Sequence, residues 1–370
     1  MHLGHLWLTD FRSYSATELE LAPDGLTVVE GANGEGKTNL LEAVGYLATL
    51  RSFRGAPSEA MVRTGAASAI VRAQIERSGR PVLIEAELRR VGRDRVQLNR
   101  QPLRRTRDLL GALVVTVFAP DDLALVKAGP AGRRQYLDDL LVALHPRHDA
   151  TQTEVDRILK QRNALLKHAG GRDRPGPDVV ATLDVWDAKL AVAGEALVAA
   201  REGLTTALAT LTSEAYGGLA IDAQHRGRSS VELIYQRSWS GSLAEALGGA
   251  RGEDLRRGLT TVGPQRDELE LGVGGLSARL YASQGEQRSL ALALRLAGHR
   301  IVADRIGTPP VLLLDDVFSE LDPHRAAALL EALPAGQALL TTASALPPAA
   351  RPALIARVAG GVLSAAQGGA

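Results

Sequence analysis

An α/β fold interrupted by a helical insertion is predicted by three observations. A G-x-x-x-x-G-K-[ST] loop, Gly31 to Thr38, stands between an apolar strand and a helix. An apolar run, Val311 to Leu314, closes on Asp315 and Asp316 near the other end. Between them lies a long stretch of helical period. A nucleotide motif at one end and an acidic strand at the other imply one discontinuous domain, 1–120 with 258–370, holding an insertion at 121–257.

Each element follows from its pattern. "HLWLTDFRSY" and "ATELELAPDGLTVVEG" alternate as two strands, the second apolar enough to be central, and a helix follows the Gly-rich loop. "AIVRAQIERSG" and "PVLIEAELRRVG" continue the alternation, with turns at Ser78-Gly79 and Gly92. "LLGALVVTVFAP" reads as a buried strand ending at Pro120. From about 133 to 215, Val155, Ile158, Leu159, Leu165 and Leu166 share one helical face, and Leu183, Trp186, Leu190, Ala193 and Leu197 share another. The Gly/Pro break at 170–178 makes these a helical hairpin, expected to project from the body and too short for a long coiled coil. Strand-and-turn character returns near 258, then a helix from 284, the strand "PPVLLLDD" and a last strand "QALLTTAS". The tail "GGVLSAAQGGA" is expected to fray.

Bulk properties narrow the chemistry. The 370 residues predict about two domains. There are no cysteines, which removes disulfides, zinc knuckles and thiol catalysis, and the histidines show no metal-binding spacing. No apolar run is long enough for a membrane span and no signal pattern opens the chain, so a cytoplasmic location is expected. A net charge of +1 neither demands nor excludes nucleic acid. Aromatics at 4% argue against a base-stacking platform for single strands.

The motifs carry specific chemistry. Glycines at 31, 34 and 36 let the backbone (Gly31, Ala32, Asn33, Gly34, Glu35, Gly36) curl so that N–H groups face a phosphate, and the helix start adds partial positive charge. Lys37 reaches the β- and γ-phosphates, and Thr38 offers a hydroxyl to Mg2+. Asp315 is read as the second Mg2+ ligand and Asp316 as the acid that orients water, with Lys37 beside it in catalysis. Ser283, Gln284, Gly285 and Glu286 open a further helix, a second anion-binding start that one nucleotide cannot easily share within one copy. The same serine also reads as an ordinary N-cap.

The order of the P-loop, "ASQGEQ", "LLLDD" and Ser319-Glu320-Leu321-Asp322 resembles the ABC-type ATPase heads of the SMC group. "FRSYSATELEL", "FAPDDLALVKAGPAGRRQYLD", "VGPQRDEL" and "LLLDDVFSELD" resemble more closely the RecF family of bacterial gap-repair mediators, over nearly the whole chain. The resemblance implies an ABC-type head with a helical arm, ATP and Mg2+ as cofactors, and an ATP-dependent homodimer in which Ser283 and Gly285 of one copy meet the γ-phosphate of the other. It implies that Ser319 and Asp322 lie at the dimer seam, that Arg12 stands near the nucleotide, and that duplex DNA or single-strand/double-strand junctions are bound. It implies RecR as partner, RecO and the strand-exchange protein RecA in the same pathway, and a role in DNA replication, damage repair and the SOS response. Thr341 and Thr342 stand where transporter heads carry a switch histidine, and Asp316 where many relatives have Glu. Both departures imply slow hydrolysis, and the resemblance implies a weak ATPase stimulated by DNA.

Between Arg89 and Arg107 eight arginines face one acid, Asp94. Such density suits phosphate contacts, with Arg89, Arg90, Arg93, Arg95, Arg104 and Arg105 the candidates for a duplex surface. Arg51, Arg54 and Arg63 are weaker extensions. Arg133, Arg134, Arg256 and Arg257 are expected to pair with Asp138, Asp139, Glu253 and Asp254. The alternatives are a transporter ATPase subunit, disfavoured by the helical insertion, and an SMC-like structural head, disfavoured by the lack of long heptads.

Overall fold

The computed structural model describes residues 1–169, 176–219, 230–319 and 321–366. They form two compact units. The first comprises Met1–Leu123, a segment starting at Glu214 and the chain from Arg288 onward; the second comprises Ala124–Ser213 and the segment ending at Gln287.

In the first unit an antiparallel sheet runs β2 (Tyr14–Glu20), β1 (His2–Phe11), β4 (Ser68–Arg77), β5 (Arg80–Arg89), β6 (Arg95–Leu98), β7 (Gln101–Pro102). A second sheet runs β15 (Val362–Ala366), β14 (Pro352–Ala359), β3 (Gly25–Glu30), β13 (Gln337–Thr342), β12 (Val311–Asp315), β8 (Val115–Phe118). All its neighbours pair in parallel except β14 with β15. Every residue of β12 and β13 is buried, the mark of a central parallel strand covered on both faces. Helix α1 (Lys37–Thr49) places Leu40, Leu41, Val44 and Leu47 in one core with Leu3, Leu6 and Leu8 of β1 and Leu313 and Leu339 of the parallel sheet. The buried amide of Gln337 stitches the sheets together: it accepts from Leu3 N at 2.7 Å and donates to the carbonyls of Leu3 and Ala22 at 2.6 and 2.7 Å.

In the second unit α2 (Pro130–Leu144) and α3 (Arg147–Ala169) pack with α4 (Pro177–Leu219), whose later turns belong to the first unit, and with α5 (Leu243–Arg257). A three-stranded antiparallel sheet, β9 (Val231–Gln236), β10 (Glu268–Val273) and β11 (Leu276–Ser277), completes it. Arg162, fully buried, donates to Asp187 and Asp254 at 2.6 Å and to Thr260 at 2.9 Å. Arg201 grips Asp138 through two bonds of 2.7 Å and the Pro264 carbonyl at 2.8 Å. A buried charge left without its partner costs several kcal/mol, about 3–5, so these pairs fix one arrangement of helices.

Several expectations are corrected. The first stretch forms three strands rather than two, because Pro23-Asp24-Gly25 turns the chain between β2 and β3. The helical run is split at Pro146, which restricts the residue before it. Leu165 and Ala193 are only half-buried. "QALLTTAS" is not the last strand: β14 and β15 follow, joined at Gly360-Gly361, so residues 362–366 of the tail are ordered in a hairpin. Residues 258–287, expected in the ATPase head, group with 124–213, because β10 pairs with β9. Arg133 pairs with Glu268 at 2.8 Å and Arg134 donates to the Asp267 carbonyl, while Asp138 takes Arg201. Arg256 and Arg257 do pair with Glu253, whereas Asp254 serves Arg162. Residues 170–175 of the Gly/Pro break, Glu320 and residues 367–370 lie outside the described residues.

Candidate functional site: a phosphate loop, an acidic pair and a signature helix

The parallel sheet sets the geometry. β3 and β12 both end at the same edge with β13 between them, and that carboxyl edge is where open parallel sheets bind ligands. The loop from Gly31 to Gly36 leaves β3 and enters α1 at Lys37. Its N-cap, Gly36, sits at φ 101°; no side chain among the described residues caps the helix, and Asn39 N donates to the Gly36 carbonyl at 2.9 Å. A Cβ at Gly36 would lie 2.4 Å from Ser13 Oγ, and one at Gly31 would lie 2.6 Å from the Val358 carbonyl. The curl is therefore available to glycine alone at these two points. The Tyr14 hydroxyl donates to the Gly36 carbonyl at 3.0 Å, and Gly360 N–H donates to Glu35.

Lys37 Nζ donates to the carbonyls of Gly31 and Ala32 at 2.7 and 2.8 Å, so it is buried inside the curl of its own loop. Thr38 Oγ1 donates to Asp315 Oδ1 at 2.8 Å. Burial raises the Asp315 carboxyl above the usual range, while hydrogen bonds from Thr341 and Thr38 work against that. Asp316 adopts φ 47°, a left-handed conformation rare for a residue with a side chain. Its Oδ1 is buried and finds no hydrogen-bond partner among the described residues. Asp316 lines a small pocket with Asp122, Arg288, Leu123, Leu292 and Leu321. Ser319 Oγ donates to the Asp316 carbonyl at 2.8 Å, and Asp322 caps helix α7 (Pro323–Ala332) by accepting from Arg325 N at 2.9 Å.

The donor set suits the implied ligands. A glycine-lined cradle, an unencumbered helix start and a lysine inside the loop match a triphosphate. A hydroxyl and a carboxylate 2.8 Å apart are hard oxygen donors of the kind Mg2+ takes beside phosphates. A metal cage made of protein alone is absent: the described residues hold no cluster of three His, Cys, Asp or Glu side chains.

The RecF/RecN/SMC N terminal domain model matches residues 2–343. The DNA replication and repair protein RecF of Frankia alni is 47% identical over 362 residues, covering 93% of each chain. The chain belongs to the RecF family. RecF of Kineococcus radiotolerans is 46% identical over 365 residues, again covering 93% of each chain. The solved structure of the recombination mediator protein RecF with ATP superposes with a TM-score of 0.88 at 27% identity, covering 99% of this chain and 98% of that one. A Pyrococcus furiosus Smc head, with a TM-score of 0.56 at 17% identity over 99% of this chain and 96% of that one, shares the fold. The fold class is thus an α/β, ABC-type P-loop head with an inserted helical domain.

The signature segment belongs to the second unit. Helix α6 (Gln284–Ile306) begins with a reciprocal cap: Glu286 N donates to Ser283 Oγ at 3.3 Å, and Ser283 N donates to Glu286 Oε2 at 2.7 Å. The ordinary N-cap reading of Ser283 is therefore correct as far as it goes. A hydroxyl used as an acceptor keeps its own proton, so capping does not consume the donor that a phosphate needs. Ser283 and Gln284 are exposed, Gly285 is half-buried, and Glu286 is buried.

Other candidates are more constrained. Arg12 spends its fork on the buried Glu42, with bonds of 2.8 and 2.6 Å, and on the Ala60 carbonyl, so it braces α1. Arg89 is paired with Glu87, and Arg90 is tied to the carbonyls of Val62, Arg63 and Ala66. Arg93, Arg95, Arg104 and Arg105 are exposed along the β6–β7 edge. The acid within this arginine run, Asp94, accepts from Arg89 N and Tyr46 Oη and is turned inward. Arg54 lies 3.8 Å from Glu42, and Arg63 3.6 Å from Asp10. Sequence reasoning did not assign a role to Thr341, which lies within β13 and donates to Asp315 Oδ1 at 2.8 Å.

Proposed function

We propose that this chain is an ATP-gated, DNA-binding recombination mediator of gap repair. Two copies close head to head on ATP and duplex DNA, and slow hydrolysis releases them. The observation that carries the reading is the 2.8 Å bond between Thr38 and Asp315, which joins the end of one parallel strand to the helix after another. In this reading the Gly31–Thr38 amides wrap the phosphates, and Lys37 exchanges two carbonyls for phosphate oxygens. Thr38 and Asp315 hold Mg2+, which when bound neutralises charge on the β- and γ-phosphates. Asp316, whose Oδ1 has no partner among the described residues, accepts a hydrogen bond from the attacking water. Ser283 and Gly285 of the second copy donate to the γ-phosphate, and Ser319 and Asp322 stand at the seam. In domain terms, 1–120 with 288–370 reads as the ATPase head, and the arm at 121–257 is joined by 258–287, whose last residues carry the signature.

A short Asp in place of a longer carboxylate and a threonine pair in place of a switch histidine support weak turnover. The solved relative is named as part of the RecFOR pathway. On that basis RecR is the proposed partner, with RecO and RecA acting in the same pathway at duplex or single-strand junctions. The function is tested by sedimentation with ATP-Mg2+, with and without duplex DNA. ATP-dependent dimers that bind DNA are expected. A chain that stays monomeric with ATP, with DNA binding unaffected by Lys37→Met and Ser283→Arg, would refute the reading.

A further inference from the structure

β13 puts one hydroxyl at the midpoint of the site. The register sets Thr341 opposite Val29 of β3 on one side and Asp315 of β12 on the other. Thr341 is fully buried. Its Oγ1 lies 2.8 Å from Asp315 Oδ1 and 3.2 Å from Asp316 N. An ionised carboxylate only accepts and an amide only donates, so both directions are fixed: the hydroxyl gives its single proton to Asp315 and receives one from Asp316. The Thr341 carbonyl accepts from the same Asp316 N–H at 3.0 Å. Main chain and side chain of one residue thus hold the left-handed turn that carries Asp316, while Ser319 closes its far side. Of the two hydroxyls on Asp315 Oδ1, that of Thr38 belongs to the proposed ligand set. Thr341 lies outside it.

We propose that Thr341 is a positioning residue for ATP hydrolysis, setting the metal-facing oxygen of Asp315 and the orientation of Asp316 through one hydroxyl. The proposal rests on the roles given to those acids above. Serine keeps the donor and the acceptor, whereas valine keeps the shape and loses both.

The test compares Thr341→Val, Thr341→Ser and Asp316→Asn in the full chain. It measures kcat and KM for ATP, thermal stability, and Mn2+ binding to the ATP-bound protein from the paramagnetic resonance of free Mn2+. Thr341→Val is expected to lower kcat by about tenfold to a hundredfold, the loss of a hydrogen bond to a charged group, with KM for ATP changed by no more than about twofold. Mn2+ affinity should fall by about tenfold, and Thr341→Ser should restore both. Should the valine variant fail to fold, Thr341→Ala takes its place, with the same outcomes expected. A valine or alanine variant that melts early yet turns over and binds Mn2+ like the parent overturns the proposal, as does a serine variant no better than valine. If Asp316→Asn stops turnover while Thr341→Val does not, only this proposal fails. If Asp316→Asn turns over normally, the assignment of the acids fails and the proposal with it.

Discussion

Thr38, in the first turn of α1, and Asp315, the last residue of β12, are 277 positions apart and share a hydrogen bond of 2.8 Å. The two oxygens that would flank a divalent cation are therefore already together in the fold. Lys37→Met should abolish ATP binding, because the cation inside the loop is lost. Thr38→Ala should retain ATP binding in EDTA but lose the strengthening by Mg2+, by about tenfold or more. Titration with a fluorescent ATP analogue, with and without Mg2+, reads both. Equal strengthening by Mg2+ in Thr38→Ala and the parent would remove Thr38 from the ligand set.

The reciprocal cap at Ser283 and Glu286 separates a stability role from an ATP-dependent one. Ser283→Ala should cost about 1 kcal/mol of stability through the lost cap and weaken dimerisation on ATP. Ser283→Arg should abolish dimerisation while leaving ATP binding by the single copy intact. Analytical ultracentrifugation beside a nucleotide titration checks this, and an arginine variant that still dimerises would place the seam elsewhere.

Exposed arginines, and not paired ones, should set the salt response of DNA binding. Replacing Arg93, Arg95, Arg104 and Arg105 by Ala should reduce the slope of log affinity against log salt by about 3 to 4, near 0.9 per phosphate contact. Arg89→Ala and Arg90→Ala should act mainly through lost bonds to Glu87 and to the carbonyls near residue 63. A quadruple variant with an unchanged slope would move the duplex off this edge.

His299 is buried beside Thr116, whose Oγ1 lies 3.0 Å from Nδ1, and burial lowers its pKa to about 4. An unfolded histidine takes up its proton near pH 6.5, so between there and about pH 4 the unfolded state binds more protons. This contribution to stability is full above pH 6.5 and lost as the pH falls, with a total of about 3 kcal/mol. Urea midpoints at pH 7 and pH 5 should show the loss, and His299→Leu should flatten the difference. An equal pH response in that variant would assign the effect to other groups.

The phosphate loop, the acidic strand and the signature helix were legible because each is a local junction of strand, loop and helix with its chemistry in consecutive residues. The arginine-rich stretch was legible as composition, but which of its members are exposed was not. Arg89, Arg90 and Arg93 look alike in sequence, and only the placement of Glu87 beside Arg89 and of the Val62–Ala66 carbonyls beside Arg90 tells them apart. Long-range partners were out of reach for the same reason. Arg133 stands five residues from Asp138 on its own helix yet pairs with Glu268, and Gln337 gives no sign that it clasps Leu3. The hairpin of β14 and β15 did carry a signal, alternating small apolar residues around Gly360-Gly361, which a reading of the tail as frayed passes over. Thr341 was noticed only for what it is not, because its partners come from a neighbouring strand.

The Leu3–Gln337 clasp has a consequence for how the molecule is made. Its two residues lie 334 positions apart, and β3 finds its neighbours only in strands from residue 337 onward. A chain growing on the ribosome exposes its phosphate loop early, but the walls of that loop arrive last. The second unit, made of Ala124–Ser213 and the segment ending at Gln287, has all its residues well before then and can fold ahead of it. Nascent copies therefore lack a finished phosphate loop until synthesis has passed the final strands.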